Sequence, residues 1–159
     1  MSQRLRLLIE YDGRPYNGWQ RQDGQPTVQA ALERAAEALD GQPVVVQGAG
    51  RTDTGVHATG QVAHLELQTP RPVRKLADAL NHHLRPDPVA VLKVEEVDES
   101  FHARFSATGR AYRYIIQTRR AHLTFDRGLI WRTPFKLDVA AMQEAANHLL
   151  GQHDFTTFR

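Results

Sequence analysis

The residues with the clearest chemical potential lie in a glycine-rich stretch at 48–64, which contains the carboxylate of Asp53 and the guanidinium of Arg51. Glycines at positions 48, 50, 55 and 60 surround this pair, and glycine is common where the backbone bends sharply or approaches another molecule. An aspartate in such a loop can act as a nucleophile, act as a general base or form a turn. Arg51 can pair with the carboxylate and keep it ionised, or it can hold a phosphate.

A second cluster, at residues 101–114, interleaves arginines with aromatic residues. This mixture suits a nucleic-acid surface, because rings stack on bases and guanidinium groups bind phosphates. If the segment is a strand, Tyr112 and Tyr114 point to the same face. The alternative is that one of these tyrosines packs inside the sheet.

Metal binding and nucleotide binding are less well supported by the sequence. Histidines that could ligate a metal stand at His57, His64, His82 and His83, with Glu66 two residues after His64, but no recognised ligand spacing is present. The glycine-rich loop also lacks the Gly-x-Gly-x-x-Gly and Gly-Lys-Ser/Thr patterns of phosphate-binding loops. We therefore expect no metal.

The composition is that of an ordinary globular protein, with 159 residues, 41% of them hydrophobic and 24% charged. The lack of cysteine excludes disulfides and thiolate metal sites and fits a cytoplasmic protein. No stretch has the character of a signal peptide or a membrane span, so we expect no membrane partner. The net charge is only +2, but nearly all the basic residues are arginines. That bias fits nucleic-acid binding or a GC-rich genome equally well.

The elements that must position these residues follow the order β-α-β-β-α-β. Hydrophobic periodicity predicts strands at 5–11, 61–67 and 89–97, and a further strand that begins at 44–46 and runs into the glycine-rich loop. It also predicts one helix that Thr27 caps and Gly41 ends, and a second helix at 73–84, which Pro70 and Pro72 precede. This order predicts an α+β fold with a ferredoxin-like core, in which both helices cover one face of an antiparallel sheet. An extra strand at 110–117 and a helix capped by Asp138 follow. The apolar side of that helix should face inward; its members are Val139, Met142, Ala146 and Leu149.

Several motifs, taken together, resemble the TruA-type tRNA pseudouridine synthases. The segment Gly50-Arg-Thr-Asp-Thr-Gly-Val-His-Ala58 is similar to the signature of that family. Six further segments resemble the family in the same order, at residues 11–13, 16–22, 27–29, 101–107, 112–114 and 150–156. The resemblance therefore extends over nearly the whole chain.

This resemblance implies an isomerase that converts uridine to pseudouridine in the anticodon arm of tRNA, at tRNA positions 38 to 40, without a metal or other cofactor. Asp53 falls on the catalytic aspartate of the family. Arg51 falls on the arginine that pairs with it and helps fill the space left by the flipped uridine, and Tyr112 falls on the tyrosine that stacks against the target base.

The tRNA-binding residues are expected in two groups. One falls on a tRNA-contacting segment of the family and comprises Phe101, His102, Ala103, Arg104 and Phe105. The other is chosen mostly on charge, for phosphate contacts, and comprises Arg71, Arg119 and Arg120.

The resemblance also implies a longer protein. Family members carry a second half of similar architecture, which closes the cleft and usually supports a homodimer, and no counterpart of that half is found here. We therefore expect residues 1–105 to form the catalytic domain and residues 106–159 to continue the sheet and begin a truncated second half. Such a fragment would be weakly active.

Two other functions remain open from the residues alone. One is a non-catalytic RNA-binding module with a ferredoxin-like sheet, although the RNA-recognition-motif aromatic signature is absent. The other is a phosphate-handling enzyme in which Asp53 is a covalent nucleophile. Dependence of activity on magnesium would favour the latter.

Overall fold

A computed structural model describes residues 2–158, which form two compact units. The first unit ends at Arg110 and the second begins at Ala111. No helix within residues 2–158 has both the length and the apolar composition needed to cross a bilayer.

The first unit contains β1 (Gln3–Tyr11), α1 (Val28–Asp40), β2 (Gln47–Gly48), β3 (Ala58–Leu67), α2 (Val73–Leu84) and β4 (Val89–Glu96). These strands make one sheet in the order β2-β3-β1-β4, and all neighbours are antiparallel. The predicted α+β fold with a ferredoxin-like β-α-β-β-α-β core is confirmed.

The core forms where the apolar face of the sheet meets the apolar stripes of both helices. Alternation along β1 buries Leu5, Leu7 and Ile9 completely on that face. Helix α1 begins where the Thr27 side chain accepts a hydrogen bond from the Ala30 N–H at 3.3 Å. The helix ends at Asp40, and Gly41 is its C-cap, as the sequence predicts.

The segment between α1 and β2 is held by a buried carboxylate, Glu33. Its Oε1 accepts hydrogen bonds from the Val46 N–H and from Gln29 Nε2, both at 3.1 Å. Its Oε2 accepts one from Arg21 Nη1 at 2.9 Å. Because side chains rather than a neighbouring strand hold this segment, the predicted start of the second strand at 44–46 is wrong. The paired strand is Gln47–Gly48.

The second unit contains β5 (Ile116–Thr118), β6 (Trp131–Thr133), α3 (Val139–Asn147) and a 3-10 turn at Thr156–Phe158. The two strands form a separate parallel pair. The strand predicted from residue 110 begins only at 116. The predicted inward orientation of the α3 apolar side is wrong, since no residue of this helix is buried. An apolar stripe shows which face a helix can bury, but burial also requires a second element that covers it.

Candidate active site

The predicted catalytic residue Asp53 lies in the loop between β2 and β3, with its side chain exposed. The side chain of Arg51 is also exposed. Within residues 2–158, neither side chain has a hydrogen-bond or ion-pair partner, so the expected ion pair between them is not formed in this structure. The carboxylate is therefore available to an incoming molecule.

In contrast to its side chains, the backbone of this loop is fixed on both sides of Asp53. The Trp19 N–H donates to the Thr52 carbonyl at 2.9 Å, and the Gly55 N–H donates to the Tyr16 carbonyl at 3.3 Å. The Tyr11 hydroxyl lies 2.8 Å from Thr52 Oγ1. Asp53 thus projects from a loop whose position is set by the segment that follows β1.

Two glycines in that segment allow its close approach to the loop. A Cβ atom at Gly13 would lie 2.0 Å from the Val56 carbonyl oxygen, and one at Gly18 would lie 2.6 Å from the Thr52 carbonyl oxygen. Gly18 also has φ +88°, a conformation that other residues rarely adopt. Backbone therefore packs directly against backbone beside Asp53.

Charged groups beside Gly13 complete this side of the loop. The Gly13 N–H lies 3.1 Å from His57 Nδ1, and Asp12 Oδ1 lies 3.1 Å from the same ring nitrogen. The neighbouring Asp12 accepts a hydrogen bond from Arg14 Nε at 2.8 Å. That hydrogen bond is the main reason that the pKa of Asp12 is lowered to about 2. Asp12 is thus held ionised by Arg14.

The opposite side of the loop is contacted by two side chains that sequence patterns did not single out. Gln61 Nε2 donates to the Gly50 carbonyl at 2.9 Å, and Arg110 Nη2 donates to the Ala49 carbonyl at 2.6 Å. The only sequence signal for Arg110 was its place in the arginine-rich cluster at 101–114.

The predicted tRNA-contacting segment 101–105 divides into a buried part and an exposed part. Ala103 is buried, and its N–H donates to Nδ1 of the buried His64 at 3.1 Å. Phe101 and His102 are half-buried, with rings 6.2 and 4.7 Å from the His64 ring. Arg104 and Phe105 are exposed, and the guanidinium carbon lies 5.8 Å from the Phe105 ring centre. This exposed pair can contact a nucleic acid.

Burial makes His64 a pH-sensitive element of this fold. Burial is the main cause that lowers its pKa below 6.5, the neighbouring His102 and Arg4 add to the shift, and Glu66 opposes it. Below about pH 6.5 the unfolded chain takes up a proton that the folded chain resists, so the free energy of unfolding should fall as the pH falls from there towards the lowered pKa. Urea unfolding at several pH values measures this effect.

The variant His64→Gln should reduce this pH dependence, because glutamine can still accept the Ala103 N–H but does not titrate. The matched control is His82→Gln, since His82 is exposed on α2 and should leave the dependence unchanged. If the free energy of unfolding depended on pH equally in the wild type and both variants, the effect could not be assigned to His64.

The arginines predicted to bind phosphate have different environments. Arg71 Nη2 donates to the Leu39 carbonyl at the end of α1 at 2.7 Å, which favours an anchoring role. Arg119 Nε donates to the Ala121 carbonyl at 3.1 Å, whereas Arg120 has an exposed side chain. The phosphate contacts remain predictions.

The predicted stacking residue, Tyr112, belongs to the second unit and is 70% exposed. It does not lie in a strand, because β5 begins four residues later. Tyr114 is 85% exposed. Neither tyrosine packs inside a sheet in this structure.

The histidines considered as metal ligands do not assemble a site in the structure. Within residues 2–158, no group of three or more histidine, cysteine, aspartate or glutamate side chains is arranged to hold a metal ion.

A ferredoxin-like sheet presents a fixed loop whose Asp53 carboxylate has no partner among the described residues, and the same unit carries an exposed arginine–aromatic pair. Together these features define a candidate RNA-acting protein. Residues 7–106 match the tRNA pseudouridine synthase family. The chain therefore belongs to that family, as its motifs predict.

Similar proteins agree with this assignment. A protein called tRNA pseudouridine synthase A from Hyphomonas neptunium is 65% identical over 156 residues, which cover 98% of this chain and 63% of the relative. Proteins of the same name from Maricaulis maris and Paramagnetospirillum magneticum are 63% and 58% identical, and the chain covers 63% and 61% of their lengths. The chain thus spans less than two thirds of each of these relatives.

Proposed function

We propose that the complete protein isomerises uridine to pseudouridine in the anticodon arm of tRNA, with Asp53 as the catalytic carboxylate. The observation that carries the proposal is the contrast at the loop between β2 and β3. Its backbone is held by Trp19 and Tyr16, while the Asp53 carboxylate is exposed and has no partner within residues 2–158. A preorganised backbone with an available reactive group is what catalysis on a bound substrate requires.

The proposed reaction breaks the N1–C1′ bond, turns the base and joins C5 to C1′. N1 gains a proton and C5 loses one, so the reaction is an isomerisation and needs no oxidant or reductant. Asp53 would drive it either by attack on the ribose or base or by removing a proton from the sugar. Both routes need a carboxylate oxygen that acts as a nucleophile or accepts a proton, and the Asp53 side chain is exposed to an incoming substrate.

The target uridine must leave its base stack before Asp53 can act on it. Unstacking costs a few kcal/mol, which contacts with the protein must offset. We propose that Arg51 fills the space that the uridine vacates and that Tyr112 stacks on the flipped base. The exposed Arg104 and Phe105 would bind the surrounding tRNA, and Arg120 would contact phosphate.

We further propose that the complete protein works in the cytoplasm, where tRNA is used, and that it forms a homodimer. The mass of the full-length protein in solution, measured by light scattering, tests the homodimer. A monomeric mass would overturn the dimer assignment alone.

We expect the 159-residue chain by itself to bind tRNA weakly and to form little or no pseudouridine. The reason is that the chain covers only 63% of its Hyphomonas neptunium relative, and the family resemblance assigns the wall that closes the cleft to the remainder. Carbodiimide treatment of tRNA followed by primer extension measures the product. Robust product formation by the chain alone would contradict this expectation.

A chimera tests the proposed function itself. In it, this chain replaces the matching 156 residues of the Hyphomonas neptunium relative, which supplies the rest of its own sequence. We expect pseudouridine in the anticodon arm, and we expect it to form in EDTA once the tRNA is folded. A chimera that folds and binds tRNA but forms no pseudouridine would overturn the proposal. Strict dependence on magnesium would favour phosphate chemistry instead.

A further inference from the structure

Among the described residues, the two consecutive carbonyl groups immediately before Arg51 accept hydrogen bonds from side chains and not from the backbone. The backbone ladder between β2 and β3 ends with the Ala49 N–H, which donates to the Val62 carbonyl at 2.7 Å. The Ala49 carbonyl then accepts from Arg110 and the Gly50 carbonyl accepts from Gln61. The next backbone anchor is the Thr52 carbonyl. The turn into the Asp53 loop therefore depends on these two donors.

Arg110 is the stronger of the two donors. A hydrogen bond from a charged donor is shorter and stronger than one between neutral groups, and Arg110 Nη2 approaches its acceptor to 2.6 Å. The guanidinium also lies close to the Gly50 backbone, since a Cβ atom at Gly50 would be 3.3 Å from Arg110 Nε. Arg110 is the last residue of the first unit, so this contact lies within that unit.

We propose that Arg110 is a positioning residue for Asp53: it fixes the backbone that carries Arg51 and Asp53, and Gln61 assists it. Its guanidinium acts on the Ala49 carbonyl rather than on the substrate. This inference rests on the proposed function for its catalytic consequence, but the effect on the loop is a property of the chain itself. A displacement of about 1 Å at a reacting group is enough to cost roughly a hundredfold in rate.

The first test needs no activity. Backbone amide hydrogen exchange, measured by NMR on the 159-residue chain, should show the Ala49 amide exchanging at least about tenfold faster in Arg110→Ala, as expected for local opening. The Leu65 amide in the centre of β3 should be unchanged. The matched control is Arg74→Ala, which removes an exposed arginine from α2. The proposal would be overturned if the exchange rate of the Ala49 amide were unchanged, or if the Ala49 and Leu65 amides exchanged faster by the same factor.

The second test uses the chimera. Arg110→Ala should lower kcat roughly ten- to a hundredfold with little change in KM for tRNA. Arg110→Lys, which keeps a cationic donor, should recover part of the loss. A rise in KM with unchanged kcat would show that Arg110 contacts tRNA and would overturn the positioning role. If the wild-type chimera is inactive, the proposed function fails, while the exchange test still decides what Arg110 does to the loop.

Discussion

Replacing Asp53 by asparagine should abolish pseudouridine formation by the chimera, with kcat falling by roughly a thousandfold or more while tRNA binding is largely retained. Asparagine has nearly the same size and keeps the backbone carbonyl that accepts the Val56 N–H at 3.1 Å. The exposed carboxylate has no partner within residues 2–158, so its removal breaks no interaction that the structure shows. The substitution therefore tests chemistry without disturbing the fold.

The measurements are single-turnover pseudouridine formation and tRNA affinity by filter binding. Asp23→Asn is the matched control, because Asp23 is an exposed aspartate in the loop after β1. Retained turnover in Asp53→Asn would contradict the catalytic role and would favour the non-catalytic RNA-binding module. Lost turnover together with lost tRNA binding would show that the carboxylate is needed to build the binding site instead.

Replacing Gly13 by alanine should damage both stability and activity. The new Cβ atom would lie 2.0 Å from the Val56 carbonyl oxygen and 2.9 Å from the Gly55 carbonyl carbon, and both are backbone atoms that cannot rotate away. Overpacking of this kind costs about 3 kcal/mol when the backbone has to move. The new contact pushes directly on the loop on which Asp53 lies, so we also expect at least about a hundredfold loss of kcat.

Urea unfolding of the chain measures the first effect and the chimera assay measures the second. Gly109→Ala is the matched control, because a Cβ atom there has no neighbour within 4 Å. We expect that variant to unfold at the same urea concentration as the wild type. If Gly13→Ala were equally harmless, the close approach of the two backbones would not be what holds the loop.

The fold of the first unit was predictable because its local signals agree with its packing. Leu5, Leu7 and Ile9 alternate as a half-buried strand must, and Thr27 caps the helix that follows the next loop. The second unit was predicted less well. The α3 stripe has helical periodicity, yet none of its residues is buried. Periodicity describes one element, whereas burial depends on two.

The candidate site was predictable as a list of residues but not as an arrangement. Sequence alone singled out Asp53 and Arg51 from their glycine-rich setting, and motif order was sufficient to assign the family. Only the tertiary structure showed that the two side chains have no partner within residues 2–158, while Trp19 and Tyr16 fix the backbone on either side of Asp53. It also brought Arg110 to Ala49, which is 61 residues away in the chain. Residue type and spacing determine what chemistry is possible, but contacts between distant segments decide where the reactive group is held.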